Sequence, residues 1–151
     1  MLSPLEEFIP ERGAYDLAVS SLALHYVAEP APVLARVREA LAGGGMLVFS
    51  VEHPMCTALA EDWVRDASGE PKHWPVDRYH DTGERRVRWL VDGVVKYHRT
   101  VEDYVSLVTG AGFVLERLAE PAPPDHLIRQ LPPLALERRR PPYLMIAARR
   151  K

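Results

Sequence analysis

The chain has 151 residues, a formal net charge of −2 and a hydrophobic share of 47%. These values are typical of one soluble globular domain and exclude the excess of Lys and Arg that nucleic-acid binding requires. No apolar run reaches the roughly 20 residues of a membrane span, and the N-terminal residues lack a signal-peptide pattern. We therefore expect a cytoplasmic protein that binds neither nucleic acid nor membrane. The single cysteine, Cys56, excludes an internal disulfide and a thiolate-rich zinc site.

The first regular segments predict a strand, a helix and a second strand. Residues 15–20 form a short apolar run that is typical of a buried strand. Apolar positions recur at helical spacing over residues 30–41, and the glycines at 43–45 are predicted to end this helix. Residues 46–51 form another apolar run. This order predicts a parallel strand pair joined by a helical crossover, and hence an α/β fold.

The middle of the chain, at about residues 54–98, is predicted to be an insertion. Prolines and glycines break every periodicity there, and all three tryptophans of the chain lie within it. Residues 87–91 and 94–98 are rich in β-forming residues and flank Asp92-Gly93, a strong signal for a hairpin turn. So aromatic an insertion is typical of a lid or binding loop.

Regular structure is predicted to return after the insertion. Thr100 and Asp103 predict a capping box at the start of a helix that ends near Gly110 or Gly112. Residues 113–119 and 143–148 predict two further strands, with a proline-rich connection between them. These elements belong to a single domain over residues 1–151.

Three groups of residues have motif-like spacing without a matching context. The segment 110–112 follows a helix, whereas the glycine loop of a nucleotide site follows a strand, so it is interpreted as a helix stop. His53 with Cys56, and the scattered His and Asp residues at 73–81, lack the paired spacing of a metal site, and no metal is expected. The three arginines at 138–140 are interpreted as a solvated turn rather than an anion site.

Polar and aromatic side chains follow both strands of the predicted parallel pair. His25 and Tyr26 come after the first strand, and His53 comes after the second. Because ligands bind beyond the carboxyl ends of parallel strands, these side chains are predicted to share a site that offers proton acceptors and an aromatic wall. The alternative is that they only end strands and cap helices, and composition favours neither interpretation.

Four consecutive parts of the chain together resemble the fourth and fifth strands of class I S-adenosylmethionine-dependent methyltransferases. They are residues 15–27, the helix up to Leu41, the glycine turn and residues 47–54. The similarity is greatest to the small-molecule branch of that family, and residues 95–100 and the last two strands also agree with it. The resemblance implies a partial Rossmann-like sheet, equivalent to strands four to seven of the family fold, with an inserted β-hairpin or lid at about residues 54–98.

The resemblance also implies a cofactor, S-adenosylmethionine, and places its binding residues. The glycine-rich loop that holds the cofactor in the family lies upstream of the matching region, so this chain resembles only the C-terminal half of the enzyme. Two groups of residues are implied to contact the adenine and the methionine portion, respectively: Leu5, Glu6 and Glu7, and then Ser20, Ser21 and Leu22.

Roles in methyl transfer follow from the same resemblance. His53 is the candidate base or orienting group, and His25 is the second candidate. The acceptor is an unidentified small molecule, and its pocket is predicted to have aromatic walls formed by Tyr26, Trp74, Tyr79 and Tyr97.

A sheet that lacks its first three strands would leave residues 15–20 as an exposed edge, which is an open template for further pairing. We expect a second copy or a separate chain to cover this edge, so that the protein is an oligomer. One function is then a small-molecule methyltransferase whose cofactor site is completed by that second chain or copy. The alternative is a non-catalytic methyltransferase-like subunit that acts through the edge, and binding of S-adenosylmethionine distinguishes the two.

Overall fold

A mixed four-stranded sheet forms the centre of the computed structural model, which describes residues 4–59, 62–88 and 93–151. In chain order the strands and α-helices are β1 (Tyr15–Ser21), α1 (Pro30–Ala40), β2 (Leu41–Glu52), α2 (Pro54–Thr57), β3 (Val64–Arg65), β4 (Pro71–His73), β5 (Gly83–Val87), β6 (Val94–His98), α3 (Val101–Gly110), β7 (Phe113–Ala119), α4 (Asp125–Gln130) and β8 (Tyr143–Arg150). Within the described ranges, no helix has both the length and the apolar character needed to span a membrane.

The central sheet confirms the predicted α/β fold class. Its strand order is β1-β2-β8-β7, and β1 pairs with β2 in parallel after the crossover through α1. β8 runs antiparallel to both β2 and β7, so the predicted strands at 113–119 and 143–148 both belong to this sheet. The capping box at the start of α3 is also confirmed, with hydrogen bonds in both directions between Thr100 and Asp103.

The hydrophobic core lies between one face of this sheet and the two longer helices. Alternate residues of a strand point to the same face, which explains why every second residue of β2 and β8 is buried. Side chains from both strands pack there with residues of α1 and α3, and the almost fully buried ones include Phe49, Val51, Leu144, Ile146, Leu34 and Val108.

The prediction that the glycines at 43–45 end α1 is wrong. The helix ends at Ala40, and Leu41 already has extended backbone angles and pairs with Tyr15. The next pair joins Leu17 to Met46, so residues 42–45 stand opposite a single residue of β1 and form a bulge. The glycines therefore allow β2 to bend at its start, where Gly44 has a φ of +79°.

Substituting Gly45 by Ala should destabilise this bulge. A β-carbon at Gly45 would lie 3.0 Å from the carbonyl oxygen of Ala42 and 3.2 Å from that of Asp16. Because both contacts are with backbone, we expect the free energy of unfolding, measured with urea, to fall by about 1–2 kcal/mol. Gly43 is the matched control, since a β-carbon there meets nothing within 4 Å. Equal losses for Gly45→Ala and Gly43→Ala would contradict this account of the bulge.

The predicted hairpin is formed by β5 and β6, which pair from Gly83 opposite His98 to Val87 opposite Val94. β5 begins four residues before the predicted first strand at 87–91. Residues 89–91 of that predicted strand and Asp92 of the predicted turn lie outside the described residues. The charged run of β5 has no strand pattern of its own, so its conformation comes from pairing with β6 rather than from propensity.

One edge of the sheet is formed by β1, which exposes apolar side chains. Leu17 is 55% and Val19 is 67% exposed, although a strand of this composition is normally covered on both faces. Among the described residues, β1 has β2 as its only strand neighbour. The open edge is thus both unpaired and hydrophobic, as expected from the sequence.

Candidate functional site

The carboxyl end of β2 opens into a cavity of about 610 Å³. Its walls come from α2, from the β5–β6 hairpin and from the proline-rich connection between β7 and β8. This volume lies within the range of small-molecule sites. The charged side chains of its lining are Glu52, Arg85, Arg88, Lys96, Glu137 and Arg140.

A buried ion pair lies in the cavity wall at the end of β2. The ammonium group of Lys96 donates to Oε1 of Glu52 at 2.6 Å, and the two side chains are 8% and 26% exposed. The pair joins the end of β2 to the hairpin. Sequence reasoning missed both residues, although Glu52 directly precedes His53 at the predicted strand end and was the available signal.

His25 is fully buried beside this pair. The N–H of Glu52 donates to Nδ1 of His25 at 3.4 Å, so the ring carries its proton on Nε2. Nε2 is buried and has no hydrogen-bond partner among the described residues. Burial lowers the pKa of His25 to about 4, with Glu52 opposing that shift and Lys96 adding to it. The imidazole is therefore neutral at pH 7 and positions the backbone of Glu52.

His53 forms the N-terminal cap of α2. Its Nδ1 accepts from the N–H of Met55 at 3.1 Å, and its Nε2 donates to Oε1 of Glu120 at 2.8 Å. Burial lowers the pKa of His53 below its usual value, although the hydrogen bond to Glu120 opposes this effect. With both ring nitrogens bonded, His53 orients the start of α2 and the end of β7 around the cavity.

Two of the four predicted aromatic residues lie at or near the cavity. Trp74 lines it, and its indole N–H donates to the carbonyl oxygen of Met55 at 2.9 Å. The ring of Tyr26 lies 4.3 Å from that of His25 and 6.0 Å from the ammonium nitrogen of Lys96. Tyr26 is therefore next to the ion pair of the cavity wall.

The structure places the other two predicted aromatic residues elsewhere. Tyr97 follows Lys96 on β6 and points to the opposite side of the hairpin, where it lines a separate cleft with Arg99. Tyr79 packs against His98, and its hydroxyl accepts from the N–H of Val101 at 3.2 Å. Strand alternation and local packing thus separate both tyrosines from the cavity.

The residues predicted to contact the cofactor are divided between a groove and the protein surface. Leu5 and Ser20 line an apolar groove of about 280 Å³ between β1 and α1, whereas Glu6, Glu7 and Ser21 are exposed. Leu22 turns the chain at the end of β1 with a φ of +50°. The hydroxyl of Ser20 is buried and has no partner among the described residues, which fits a ligand with hydrogen-bonding groups at this strand end.

The interpretation of residues 138–140 as a solvated turn fits Arg138 and Arg139, which are exposed, but is wrong for Arg140. Arg138 binds Asp125, and the guanidinium group of Arg139 lies 4.8 Å from the ring centre of Trp63. Arg140 is 11% exposed and lies 4.2 Å from the ring centre of Trp74. The interpretation failed at Arg140 because Trp63 and Trp74 of the insertion pack against its guanidinium group.

The lining of the cavity includes the free cysteine, Cys56. Burial raises the pKa of Cys56 to about 11, so its thiol is a poor nucleophile at pH 7. Within residues 4–59, 62–88 and 93–151, no group of three or more His, Cys, Asp or Glu side chains has an arrangement suited to a metal ion.

Comparisons with known proteins assign the family. No family model matches the chain. An S-adenosylmethionine-dependent methyltransferase structure from Mesorhizobium loti is 43% identical over 98% of this chain and 68% of its own, with a TM-score of 0.90. A structure from Listeria monocytogenes assigned to the same class is 38% identical over 99% of this chain and 67% of its own, with a TM-score of 0.88.

A third relative is an uncharacterized protein of Haemophilus influenzae, which is 29% identical over 97% of this chain. The chain spans 59% of the length of that relative and about two thirds of each of the two solved structures. The similarity to the Mesorhizobium and Listeria proteins therefore covers nearly the whole of this chain. The chain belongs to the S-adenosylmethionine-dependent methyltransferases with the class I, Rossmann-like fold.

Proposed function

We propose that the chain takes part in cytoplasmic methyl transfer to a small molecule, which binds in the cavity at the end of β2. The observation that supports this function is the buried Glu52–Lys96 pair in the wall of a cavity of about 610 Å³. Family membership supports S-adenosylmethionine as the methyl donor, and a cavity beyond the carboxyl ends of parallel strands is where α/β sheets bind ligands.

Bound S-adenosylmethionine supplies a methyl group activated by a positively charged sulfur. Leu5, Ser20, Ser21 and Leu22 are proposed to contact it, with Glu6 and Glu7 near the adenine. Ser21 of β1 pairs with Ser50, which lies two residues before Glu52 on β2. The proposed cofactor residues and the acceptor cavity are thus neighbours on the sheet, as transfer between two bound molecules requires.

Within the cavity, the carboxylate of Glu52 is proposed to take the proton that an acceptor hydroxyl or amine loses as its oxygen or nitrogen gains the methyl group. Lys96 holds this carboxylate in place through the 2.6 Å contact. His25 and His53 are positioning residues in this scheme, because each binds a backbone N–H next to the cavity. Tyr26 and Trp74 are proposed to contact the acceptor, whereas Tyr79 and Tyr97 support the surrounding hairpin.

A labelled-methyl assay tests this function. The protein is incubated with methyl-tritiated S-adenosylmethionine and a small-molecule extract, and label in the products is counted after chromatography. We expect a labelled product that depends on the protein and decreases at least tenfold in Glu52→Gln. Glu39→Gln, which changes an exposed carboxylate that does not line the cavity, is the control and should retain activity. Absence of any labelled product would count against methyl transfer.

We also propose that residues 1–151 form one incomplete methyltransferase-like domain, with the insertion at about 54–98, and that a second copy or partner chain covers β1. The exposed Leu17 and Val19 support this proposal, since unpaired apolar edges associate. Light scattering at micromolar concentration should therefore give at least twice the monomer mass of 17.0 kDa. Val19→Lys should shift the protein towards the monomer, and a monodisperse native monomer would contradict the proposal.

The alternative function is a non-catalytic subunit that acts through the β1 edge. The exposure of Leu17 and Val19 favours it, because such a surface suits a protein partner as well as a missing strand. A subunit of this kind would retain association and lack binding of S-adenosylmethionine.

A further inference from the structure

The open edge of β1 presents backbone groups at positions that the hydrogen bonds to β2 define. The N–H of Leu22 donates to the carbonyl oxygen of Ser50, so the carbonyl of Ser21, in the same planar peptide unit, points away from β2. In an extended strand the N–H and C=O of one residue point to the same side, and that side alternates along the strand. The backbone groups of Val19 and Leu17 are therefore also directed towards the open edge.

The side chains of β1 are arranged symmetrically about Ala18. Leu17 and Val19 flank it on one face, where they are 55% and 67% exposed. Asp16 and Ser20 flank it on the other face, which contains the groove between β1 and α1. An antiparallel copy of β1 with Ala18 opposite Ala18 would therefore place Leu17 opposite Val19, and Asp16 opposite Ser20.

The pairing of Asp16 with Ser20 would satisfy two side chains that have no partner within one copy. The hydroxyl of Ser20 is buried without a hydrogen bond, and the carboxylate of Asp16 forms no ion pair or hydrogen bond with the described residues. A hydroxyl donates and a carboxylate accepts, so each completes the other across the edge. The oxygen of Ser20 still has lone pairs for the cofactor contact proposed above.

A second copy fits this edge because a two-fold interface needs a surface that is complementary to itself. The exposed pair Leu17 and Val19 places apolar opposite apolar, and Asp16 with Ser20 places acceptor opposite donor. The axis passes through Ala18, where two identical side chains meet, and a methyl group is small enough for both. The sequence of β1 therefore supplies each complementary group from within the same strand.

We propose that a second copy of this chain covers the edge, with its β1 antiparallel and Ala18 opposite Ala18. The two four-stranded sheets then form one continuous sheet. This proposal rests on the association proposed above and names its partner and its register. Tyr15 of the second copy would lie opposite Ser21, so the second copy borders the strand end where S-adenosylmethionine is proposed to bind.

Disulfide trapping in a Cys56→Ser background tests this register. The backbone groups of Ala18 point towards β2, so Ala18 and its copy form a non-hydrogen-bonded pair with Cα atoms about 4.5 Å apart, which is within reach of a disulfide. Val19→Cys is the matched control, because its two copies would be about 7–8 Å apart and out of reach. We expect Ala18→Cys to form a covalent dimer at least ten times faster than Val19→Cys under mild oxidation.

A mixture of two further variants tests the register independently of whether Ala18→Cys folds. Asp16→Cys and Ser20→Cys are mixed under reducing conditions and then oxidised, and we expect a covalent dimer that contains one chain of each. Neither variant should form a covalent dimer by itself, because each residue lies opposite the other and not opposite its own copy.

Sedimentation measures the contribution of the Asp16–Ser20 pair. Asp16→Ala should weaken dimerisation about tenfold, since the buried hydroxyl of Ser20 would again lack a partner. Glu11→Ala changes an exposed carboxylate before β1 and should leave the dimer unchanged.

The proposal is overturned if the wild-type protein is monomeric at micromolar concentration, if Val19→Cys crosslinks as fast as Ala18→Cys, or if the mixture gives no mixed dimer. Failure of the proposed function is measured separately, by titration with S-adenosylhomocysteine. Cofactor binding without these crosslinks would reject only the paired β1 strands. The crosslinks without cofactor binding would reject only methyl transfer.

Discussion

Replacing Glu52 by Gln should lower the free energy of unfolding by about 2 kcal/mol, because the Lys96 ammonium, 8% exposed, would lose its carboxylate partner. A fully buried pair would lose more, but Glu52 is 26% exposed and water screens part of the interaction. The same variant should also lower methyl transfer, since an amide cannot accept the proton of the acceptor.

A double-mutant cycle with urea unfolding measures this interaction. Lys96→Met should also destabilise the protein, and the double variant Glu52→Gln/Lys96→Met should lose less than the sum of the single variants. Glu39→Gln is the matched control, because Glu39 and Arg12 form an ion pair whose side chains are 50% and 80% exposed. The free energy of unfolding of Glu39→Gln should be lower than that of the wild type by no more than about 0.5 kcal/mol. Additive losses in the cycle would show that Glu52 and Lys96 do not act as a pair.

Lowering the pH from 7 to 4 should reduce the free energy of unfolding by about 3 kcal/mol through His25 alone. Burial lowers the pKa of His25 to about 4 in the folded state, whereas the unfolded chain has the ordinary value of 6.5. Between these two values the unfolded state binds the proton and the folded state does not. The contribution of His25 is therefore complete above pH 6.5 and is lost as the pH falls towards 4.

Urea unfolding at several pH values measures this loss. Burial also lowers the pKa of His53 and of His98, so both should act in the same direction as His25. His25→Asn should flatten the dependence on pH, and His126→Asn, at an exposed position, controls for the substitution itself. Stability that is constant between pH 7 and 4 would contradict the buried, neutral state of His25.

Much of the fold could be predicted because its elements have clear periodicity. The apolar runs of β1, β2 and β8 and the cap of α3 are local features, and local features are what a sequence displays directly. The bulge at Gly43–Gly45 could not be predicted, since it depends on which residue of β1 pairs with Leu41 and Met46. The position of β5 could not be predicted for a similar reason, because its charged residues become a strand only by pairing with β6.

The site was predictable only to the extent that strand ends define it. His25 and His53 follow strand ends and do lie beside the cavity, although both are bonded to backbone N–H groups. Lys96 and Arg85 were missed because their common face depends on hairpin register, and Arg140 was missed because it depends on the path of a long connection. Tyr97 shows the same limit, since a shift of one residue moves a side chain to the other face.

Isothermal titration with S-adenosylhomocysteine, the demethylated product form of the cofactor, tests the claim that this chain takes part in methyl transfer. We expect binding of micromolar affinity by the oligomer or completed complex, and weaker binding in Ser20→Val, because the buried hydroxyl of Ser20 has no partner among the described residues. Ser68→Ala, a change in an exposed turn of the insertion, should leave the affinity unchanged. Absence of binding at ligand concentrations up to about 1 mM would contradict the claim and favour the non-catalytic subunit.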